Sequence, residues 1–130
     1  MTIFSKIIAG QIPSYKVAEN DKFFAFLDIS PMAKGHTLVV SKIEVNKIFD
    51  LPDEYLSEML LFAKPIAKAI EAEFDCDRCG LIVMGLEVPH VHLHLVPINS
   101  ADDLNFTRAK LKLSKEEFIE VQEKIKRSLT

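Results

Sequence analysis

The feature that most constrains this chain is the segment 89–97, in which histidines alternate with aliphatic residues. His90, His92 and His94 are three of the four histidines in the sequence. Successive side chains of a β-strand point to opposite faces, so the alternation predicts a strand with imidazoles on one face and aliphatic side chains on the other. One face would pack into a core. The other would present groups that titrate near neutral pH, act as nucleophiles or bind metals.

Hydrophobic periodicity elsewhere switches between the strand and the helix repeat and predicts an α+β fold. Helices are predicted over residues 2–9 and 53–74 and after Ser114, which forms a capping box with Glu117. The second helix should kink at Pro65, which lacks a backbone donor. Strands are predicted over residues 15–19, 23–27, 36–41, 81–84 and 90–96. The sequence therefore predicts one domain with a helical tail.

Composition and charge exclude several classes of protein. The sequence is 48% hydrophobic and 27% charged, which predicts a soluble globular domain. Its formal net charge of -3, with both signs interspersed, provides no basic patch for nucleic acid or for a membrane surface. No apolar run reaches the roughly 20 residues of a membrane span, and the first residues do not resemble a signal peptide. We therefore expect a cytoplasmic protein.

Cys76 and Cys79 form a lone Cys-x-x-Cys motif. A structural zinc site needs four ligands, and no nearby pair of residues would complete this one. We interpret the two cysteines as reduced thiols, with half of a zinc site and a redox pair as the alternatives.

Three interpretations of the histidine row compete. The histidines could be hydrogen-bonded strand residues without a chemical role, although strict alternation is unusual for that. They could bind a metal ion, but the rise of a strand separates His90 from His94 by roughly 13 Å. At most two of the three could then share an ion, with His36 or a carboxylate completing the site. In the third interpretation, which we favour, the central imidazole attacks a phosphate ester while its neighbours hold the phosphate and assist the leaving group.

The run His-φ-His-φ-His-φ-φ, where φ is aliphatic, resembles the signature of the histidine triad nucleotide hydrolases and transferases. Four upstream segments resemble the Hint branch of that family in order and spacing: Ile3-Phe4-x-Lys6-Ile7-Ile8, Ile12-Pro13, Ala25-Phe26-x-Asp28-Ile29-Ser30-Pro31 and Gly35-His36-x-Leu38-Val39. The resemblance implies a histidine triad domain over residues 1–99, with a five-stranded antiparallel sheet and a long helix packed on it. Residues 100–130 would be a C-terminal extension with a helix in the same unit. The resemblance also implies a homodimer.

The resemblance assigns roles to individual residues. His92 would be the nucleophile that takes up a nucleoside monophosphate, and His94 would contact the phosphate and assist proton transfer to the leaving group. His90 would orient His92 through its backbone carbonyl, and His36 would complete the hydrogen-bonded network behind the nucleophile. Asp28 would accept hydrogen bonds from the ribose hydroxyls. The apolar slot for a purine base would consist of Phe4, Ile7, Ile12, Phe26 and Ile29. Taken alone, these apolar residues would equally fit a plain core, Asp28 a turn and His36 the start of a strand.

The loop before the triad departs from the family. Members usually carry Asn-x-Gly and Gln-x-Val there, whose amides help to bind phosphate, whereas this chain has Val83-Met84-Gly85-Leu86-Glu87-Val88. Backbone N–H groups from Gly85 to Val88 would have to replace the lost donors. Glu87 would repel a polyphosphate and attract a cationic amine, unless it is simply a solvated loop residue.

The sequence thus favours a hydrolase or transferase that cleaves AMP or a related purine nucleotide from an amine or a phosphate through a nucleotidyl-histidine, without a metal or another cofactor. Two alternatives stay open: a dinucleoside polyphosphate hydrolase, and a nucleotide-binding regulator with little turnover. The final helix is expected beside the rim of the active site, where it would limit the size of the leaving group.

Overall fold

Residues 1–129, which a computed structural model describes, form one five-stranded antiparallel sheet flanked by three α-helices. The strands are β1 Lys16–Glu19, β2 Phe23–Leu27, β3 Thr37–Ser41, β4 Arg78–Ile82 and β5 His92–Ile98. The helices are α1 Ile3–Ile8, α2 Asp53–Glu73 and α3 Lys115–Ser128. The order in the sheet is β1-β2-β3-β5-β4, and all neighbours are antiparallel. The predicted α+β class and antiparallel sheet are confirmed.

Helices α2 and α3 lie together on one face of the sheet and close the main core. Helix α2 packs on β3, β4 and β5, while α3 packs on α2 and β1. This core takes the inward residues of the central strands and the apolar stripes of both helices, among them Phe23, Val39, Met59, Ile70, Leu93, Leu95 and Ile125. Burying an aliphatic or aromatic side chain of this size contributes about 1.5–3 kcal/mol. The aliphatic half of the predicted histidine strand therefore anchors the sheet.

The final helix begins with the predicted capping box. The Ser114 hydroxyl accepts a hydrogen bond from the Glu117 amide at 3.1 Å, and the Glu117 carboxylate accepts one from the Ser114 amide at 3.0 Å. The apolar stripe of this helix, with Val121 and Ile125, belongs to the main core. The expectation that the helix lies beside the active-site rim is therefore wrong, because this stripe holds it on the face opposite to the histidines.

Helix α1 covers part of the other face. Thr2 caps its first turn by accepting a hydrogen bond from the Ser5 amide at 3.1 Å. Its buried residues pack on the outward side chains of β2 and β3, giving a smaller apolar cluster of Phe4, Ile7, Phe24, Phe26, Leu38 and Val40. Val40 pairs with His92 and Leu38 with His94 across β3 and β5. This apolar cluster and the two strand histidines are therefore neighbours on one face.

Two predicted strands are displaced. Strand β5 begins at His92 and not at residue 90, because the His90 amide donates to the Val88 carbonyl at 2.8 Å and the backbone turns there. The strand predicted over residues 81–84 runs instead from Arg78 to Ile82, since its pairing with β5 ends at Ile82 and His94. The other predicted strands and helices agree to within one residue with the structure, and α2 continues through Pro65.

Two further expectations concern the environment of the chain. Within residues 1–129, no helix combines the length and the apolar character that a membrane span requires. The cytoplasmic location stays a prediction. Cys76 and Cys79 are free thiols, and burial raises the pKa of both, that of Cys79 to about 12. Both thiols are therefore protonated at neutral pH and weak nucleophiles.

Candidate active site

All four histidines meet on the face that α1 covers. His92 and His94 alternate along β5, His90 lies just before it, and His36 precedes β3. Each of them is buried, with no more than 7% of the residue exposed. The structure therefore brings together the four residues that the sequence singled out, although His90 stands outside the strand and faces a different set of partners.

His92 is held in one tautomer. Its Nδ1 lies 2.6 Å from the backbone carbonyl of His90, and a carbonyl only accepts hydrogen bonds, so Nδ1 carries the proton. The other nitrogen, Nε2, therefore has a free lone pair. The ring of Phe4 packs edge-on against the imidazole at 4.9 Å between centroids. These contacts fix the ring and leave one nucleophilic nitrogen.

His36 and His94 are linked in a defined direction. The Met32 amide donates to Nδ1 of His36 at 2.9 Å, so neutral His36 carries its proton on Nε2. That Nε2 lies 3.0 Å from Nδ1 of His94, which must accept, and the proton of neutral His94 is therefore on its Nε2. The fourth histidine thus supports His94, and no hydrogen bond joins it to His92 within residues 1–129.

Two ring nitrogens remain available to a ligand. Among the hydrogen bonds of residues 1–129, neither Nε2 of His92 nor Nε2 of His94 has a protein partner. No buried side-chain nitrogen or oxygen in this part of the chain lacks a partner, so both atoms reach solvent. The site consequently offers a bare nitrogen on His92 and an N–H donor on His94, with ring centroids 4.9 Å apart.

Burial sets the charge of these rings. It lowers the pKa of His92, and it lowers the pKa of His94 to about 4 and that of His36 to about 3, with neighbouring histidines adding to the last two shifts. All three are therefore neutral at pH 7. The 3.5 Å contact between Nε2 of His36 and the Asp28 carboxylate is consequently not an ion pair.

The alternative of a metal site has one candidate location in residues 1–129. Ligand atoms of Asp28, His36 and His94 lie within 4.8 Å of one another. The Met32 amide opposes metal binding there, because it occupies Nδ1 of His36 and keeps the proton on Nε2, the atom that faces the other two. A metal ion would have to displace that proton and break the bond to His94. The arrangement therefore favours the hydrogen bonds from Met32 to His36 and from His36 to His94 over a bound metal ion.

Most of the predicted slot residues come together. Phe4, Ile7 and Phe26 are buried in the smaller apolar cluster beside the histidines, and Ile12 packs against it. Ile29 lies outside this cluster and is 69% exposed. Asp28 stands next to the histidines, where burial raises the pKa of its carboxyl group and one oxygen accepts from the Ser30 amide at 2.8 Å. Its other oxygen is the one directed towards His36.

The loop before the triad borders a cavity of about 520 Å³. Gly85 turns this loop with a φ of 70°, and Val88 packs against the smaller apolar cluster. Glu87 is exposed, and its charge opposes the lowering of the pKa of His92. The cavity touches His92 itself and is mainly apolar, with Ile48, Phe49, Val83, Met84, Leu86 and Val91 in its lining.

Sequence reasoning missed the segment that precedes α3. The ring of Phe106 lies edge-on to His94 at 4.8 Å and also contacts His36 at 5.9 Å. Lys110 lies over the same ring at 5.6 Å and donates to the backbone carbonyl of Arg108 at 3.0 Å. No motif marked these residues, since the resemblance ends before them. A lone phenylalanine in a polar stretch was the one available signal.

Comparison with known proteins places the chain among close relatives. A family model described as HIT domain matches residues 9–101. The chain is 42% identical over 96 residues to the adenosine 5'-monophosphoramidase HNT1 of Saccharomyces cerevisiae, a match that covers 73% of this chain but 61% of that protein. It is 41% identical over 102 residues to the protein hit of Bacillus subtilis, covering 73% and 69% of the two chains. A Hit-like protein of Bartonella henselae shares the fold with a TM-score of 0.83 and 30% identity over 98% of this chain and 95% of that one.

Proposed function

Because the chain belongs to the histidine triad (HIT) family, we propose that it is a nucleotide hydrolase that releases AMP or a related nucleoside monophosphate from an amine through a covalent nucleotide on His92. The observation that carries the proposal is the bond from Nδ1 of His92 to the His90 carbonyl, which leaves Nε2 as a nucleophile. The name of the yeast relative, an adenosine 5'-monophosphoramidase, supports both the amine and the adenine nucleotide.

The proposed reaction has two displacements at phosphorus. In the first, Nε2 of His92 attacks, the bond from phosphorus to the amine nitrogen breaks, and the amine takes a proton from water. In the second, water attacks phosphorus, the bond to Nε2 breaks, and the nucleoside monophosphate leaves while the proton goes to solvent. His94 donates a hydrogen bond from Nε2–H to a phosphate oxygen, where charge accumulates. Neutral His94 has a single ring proton, so we assign it the role of a hydrogen-bond donor and not of the proton source.

The nucleotide is proposed to lie across the α1-covered face. The base would contact the smaller apolar cluster with Phe4 and Phe26, and the ribose hydroxyls would donate to Asp28. Backbone amides would take over from the amide side chains that the loop lacks. The N–H groups of Gly85, Leu86, Glu87 and Val88 have no protein acceptor within residues 1–129 and are therefore free to bind phosphate oxygens.

Two features support an amine rather than a polyphosphate leaving group. Glu87 places a negative charge near His92, which disfavours a second phosphate and attracts a protonated amine. The cavity beside His92 is mainly apolar and has room for an organic substituent on the amine. This argues against a dinucleoside polyphosphate as the main substrate.

The test is a comparison of two substrates in the presence of EDTA. An adenosine phosphoramidate with a fluorescent amine should be hydrolysed, and a diadenosine polyphosphate should be hydrolysed more slowly. Glu87→Gln should narrow that difference, whereas Asp21→Asn on the distant β1–β2 turn should not. Loss of turnover on chelation would favour a metal site, and tight nucleotide binding without turnover would favour a regulator.

We also propose a homodimer. Strand β4 is at the edge of the sheet, and Leu81 on it is 45% exposed. Leu60 and Leu61 on α2 are 58% and 68% exposed, and a second copy would cover such residues. Sedimentation equilibrium of the wild type should give twice the chain mass, and Leu61→Lys should shift it towards the monomer. A monomeric wild type at micromolar concentration would contradict this.

Residues 1–99 and 100–130 are proposed to form one unit. Support comes from the place of α3 in the main core and from the Leu111 amide, which donates to the Pro31 carbonyl at 2.8 Å. Truncation after residue 99 should therefore abolish the cooperative thermal transition. A truncated chain that unfolds cooperatively at the wild-type temperature would show that the extension is a separate unit.

A further inference from the structure

A second hydrogen-bonded cluster lies behind His90, where α1 begins. The Thr2 hydroxyl is 2.7 Å from Nδ1 of His90. Glu44 accepts from the Ser5 hydroxyl at 2.6 Å and from the Thr2 amide at 2.9 Å. None of these three residues contacts the face of His92 that the proposed reaction uses, so the cluster needs another explanation.

The directions of these hydrogen bonds follow from their end groups. Nε2 of His90 lies 2.7 Å from the Ser41 carbonyl, so it carries the proton of the neutral ring and Nδ1 must accept. The Ser5 hydroxyl gives its one proton to Glu44, so it does not donate to Thr2. The Thr2 hydroxyl oxygen lies 2.7 Å from Nδ1 of His90 and 3.2 Å from the Ser5 hydroxyl oxygen, and the shorter contact assigns its proton to His90. Thr2 is thus the donor to a ring that is fully buried.

Every polar group of His90 has a hydrogen-bond partner. Its amide donates to Val88, its ring bonds to Thr2 and Ser41, and its carbonyl accepts the Nδ1 proton of His92 at 2.6 Å. Because the carbonyl and the ring belong to one residue, a shift of the ring moves the acceptor that sets the tautomer and the orientation of the nucleophile.

We propose that Thr2 is a positioning residue for the nucleophile: its hydroxyl fixes the ring of His90 and thereby the carbonyl that holds Nδ1–H of His92. Ser5 and Glu44 hold Thr2 in place: the Ser5 amide donates to the Thr2 hydroxyl oxygen, and Glu44 accepts from the Thr2 amide and from the Ser5 hydroxyl. This inference rests on the proposed function. It extends the proposed site from the histidine strand to the start of α1, which the sequence assigned only to a helix and a base slot.

Thr2→Val tests the hydroxyl with little change of shape. It leaves Nδ1 of His90 buried without a donor, and a misplaced nucleophile is expected to lower kcat by about 10- to 100-fold. KM should change much less, because Thr2 does not touch the substrate. Thr2→Ser retains the donor and should recover most of the turnover. Ser57→Ala, which removes an exposed hydroxyl from α2, is the matched control and should leave kcat unchanged.

Nitrogen-15 NMR of the imidazoles separates this role from helix capping. Thr2→Asp keeps a cap acceptor for the Ser5 amide but has no hydroxyl proton to give, so the Nδ1 resonance of His90 should move from its wild-type position although the cap is kept. In Thr2→Val the Nδ1 resonance of His90 should shift towards that of a nitrogen without a hydrogen bond. The wild-type ring should show Nε2–H only.

The outcomes are separable. If neither Thr2→Val nor Thr2→Asp alters the His90 resonances, or if Thr2→Val retains wild-type kcat, the inference is wrong. If the wild type shows no turnover but the resonances respond as expected, the hydrogen bond to His90 stands, and the proposed function fails together with the positioning role. Thermal unfolding of each variant identifies any loss of fold.

Discussion

The two faces of strand β5 differ in what their side chains are free to do. On one face Leu93 and Leu95 are 1% exposed and are covered by α2 and α3. On the other, His92 and His94 are almost as buried, yet each keeps one ring nitrogen without a protein partner within residues 1–129. Alternation along a single strand therefore separates a core from a face with available imidazole nitrogens at a spacing of one residue.

The difference shows how buried histidines can each keep one ring nitrogen available. The face with Leu93 and Leu95 is closed by apolar side chains, and it contributes stability. On the histidine face the Met32 amide donates to His36, His36 donates to Nδ1 of His94, and Nδ1 of His92 donates to the His90 carbonyl. These bonds use one nitrogen of His92 and one of His94 and fix the tautomer of each ring. Substitutions on the two faces should accordingly change different quantities.

The largest effect is expected from His92→Ala. Removal of the proposed nucleophile should lower turnover of the phosphoramidate by at least about 1,000-fold, as for other covalent catalysts. The fold should persist, because the leucines on the other face of β5 are untouched. Turnover is compared with thermal unfolding of the same sample. A His92→Ala variant with wild-type turnover would show that His92 is not the nucleophile and that the two faces do not differ in this way.

The adjacent substitution should have the converse result. Leu93→Ala removes a fully buried side chain and should lower the free energy of unfolding by about 2–5 kcal/mol. Denaturant unfolding measures this loss. Turnover per folded molecule should stay near that of the wild type. If kcat of the folded fraction falls as far as in His92→Ala, then the two faces are not independent.

Acid should destabilise the histidine face specifically. The pKa of His94 is lowered from 6.5 to about 4 and that of His36 to about 3, so the unfolded chain binds more protons between these values and pH 6.5. The stability is fully present above pH 6.5 and is lost as the pH falls towards 4, with His94 alone contributing on the order of 3 kcal/mol.

Urea unfolding at pH 7.5 and at pH 5 measures this loss. The double variant His36→Leu and His94→Leu should flatten the pH dependence, whereas Leu93→Ala should shift both curves equally. Equal stability of the wild type at the two pH values would contradict the assigned burial of these rings.

The smallest effect is expected from Phe106→Ala. This ring packs on His94, and aromatic pairs of this kind contribute about 0.5–1.5 kcal/mol, so kcat/KM should fall by roughly 10-fold or less. Loss of the ring admits water, and the pKa of His94 should rise towards its ordinary value. Phe106→Leu should have a kcat/KM and a His94 pKa between those of the wild type and of Phe106→Ala. The titration of His94 followed by NMR decides whether the ring shields this histidine.

The sequence predicted the elements and the placement of His92 and His94 on one face of a strand because alternation and helical stripes are local patterns. It could not predict that His90 leaves the strand, since that depends on the turn at Val88 and on contacts with Thr2 and Ser41. It also could not place Phe106 against His94 and His36, because contacts between residues far apart in the sequence cannot be predicted from residue spacing. Ile29 matched a motif, but in the structure it lies outside the apolar cluster.

The central claim is that His92 carries the nucleotide during turnover. Wild-type protein mixed with the adenosine phosphoramidate can be quenched in base within milliseconds, which preserves phosphorus bound to histidine, and analysed by mass spectrometry of its peptides. The account predicts a mass increase of one AMP on the peptide that contains His92, absent in His92→Ala and formed in the presence of EDTA. Turnover without any adduct on that peptide, with the adduct on another residue or with water attacking directly, would contradict it.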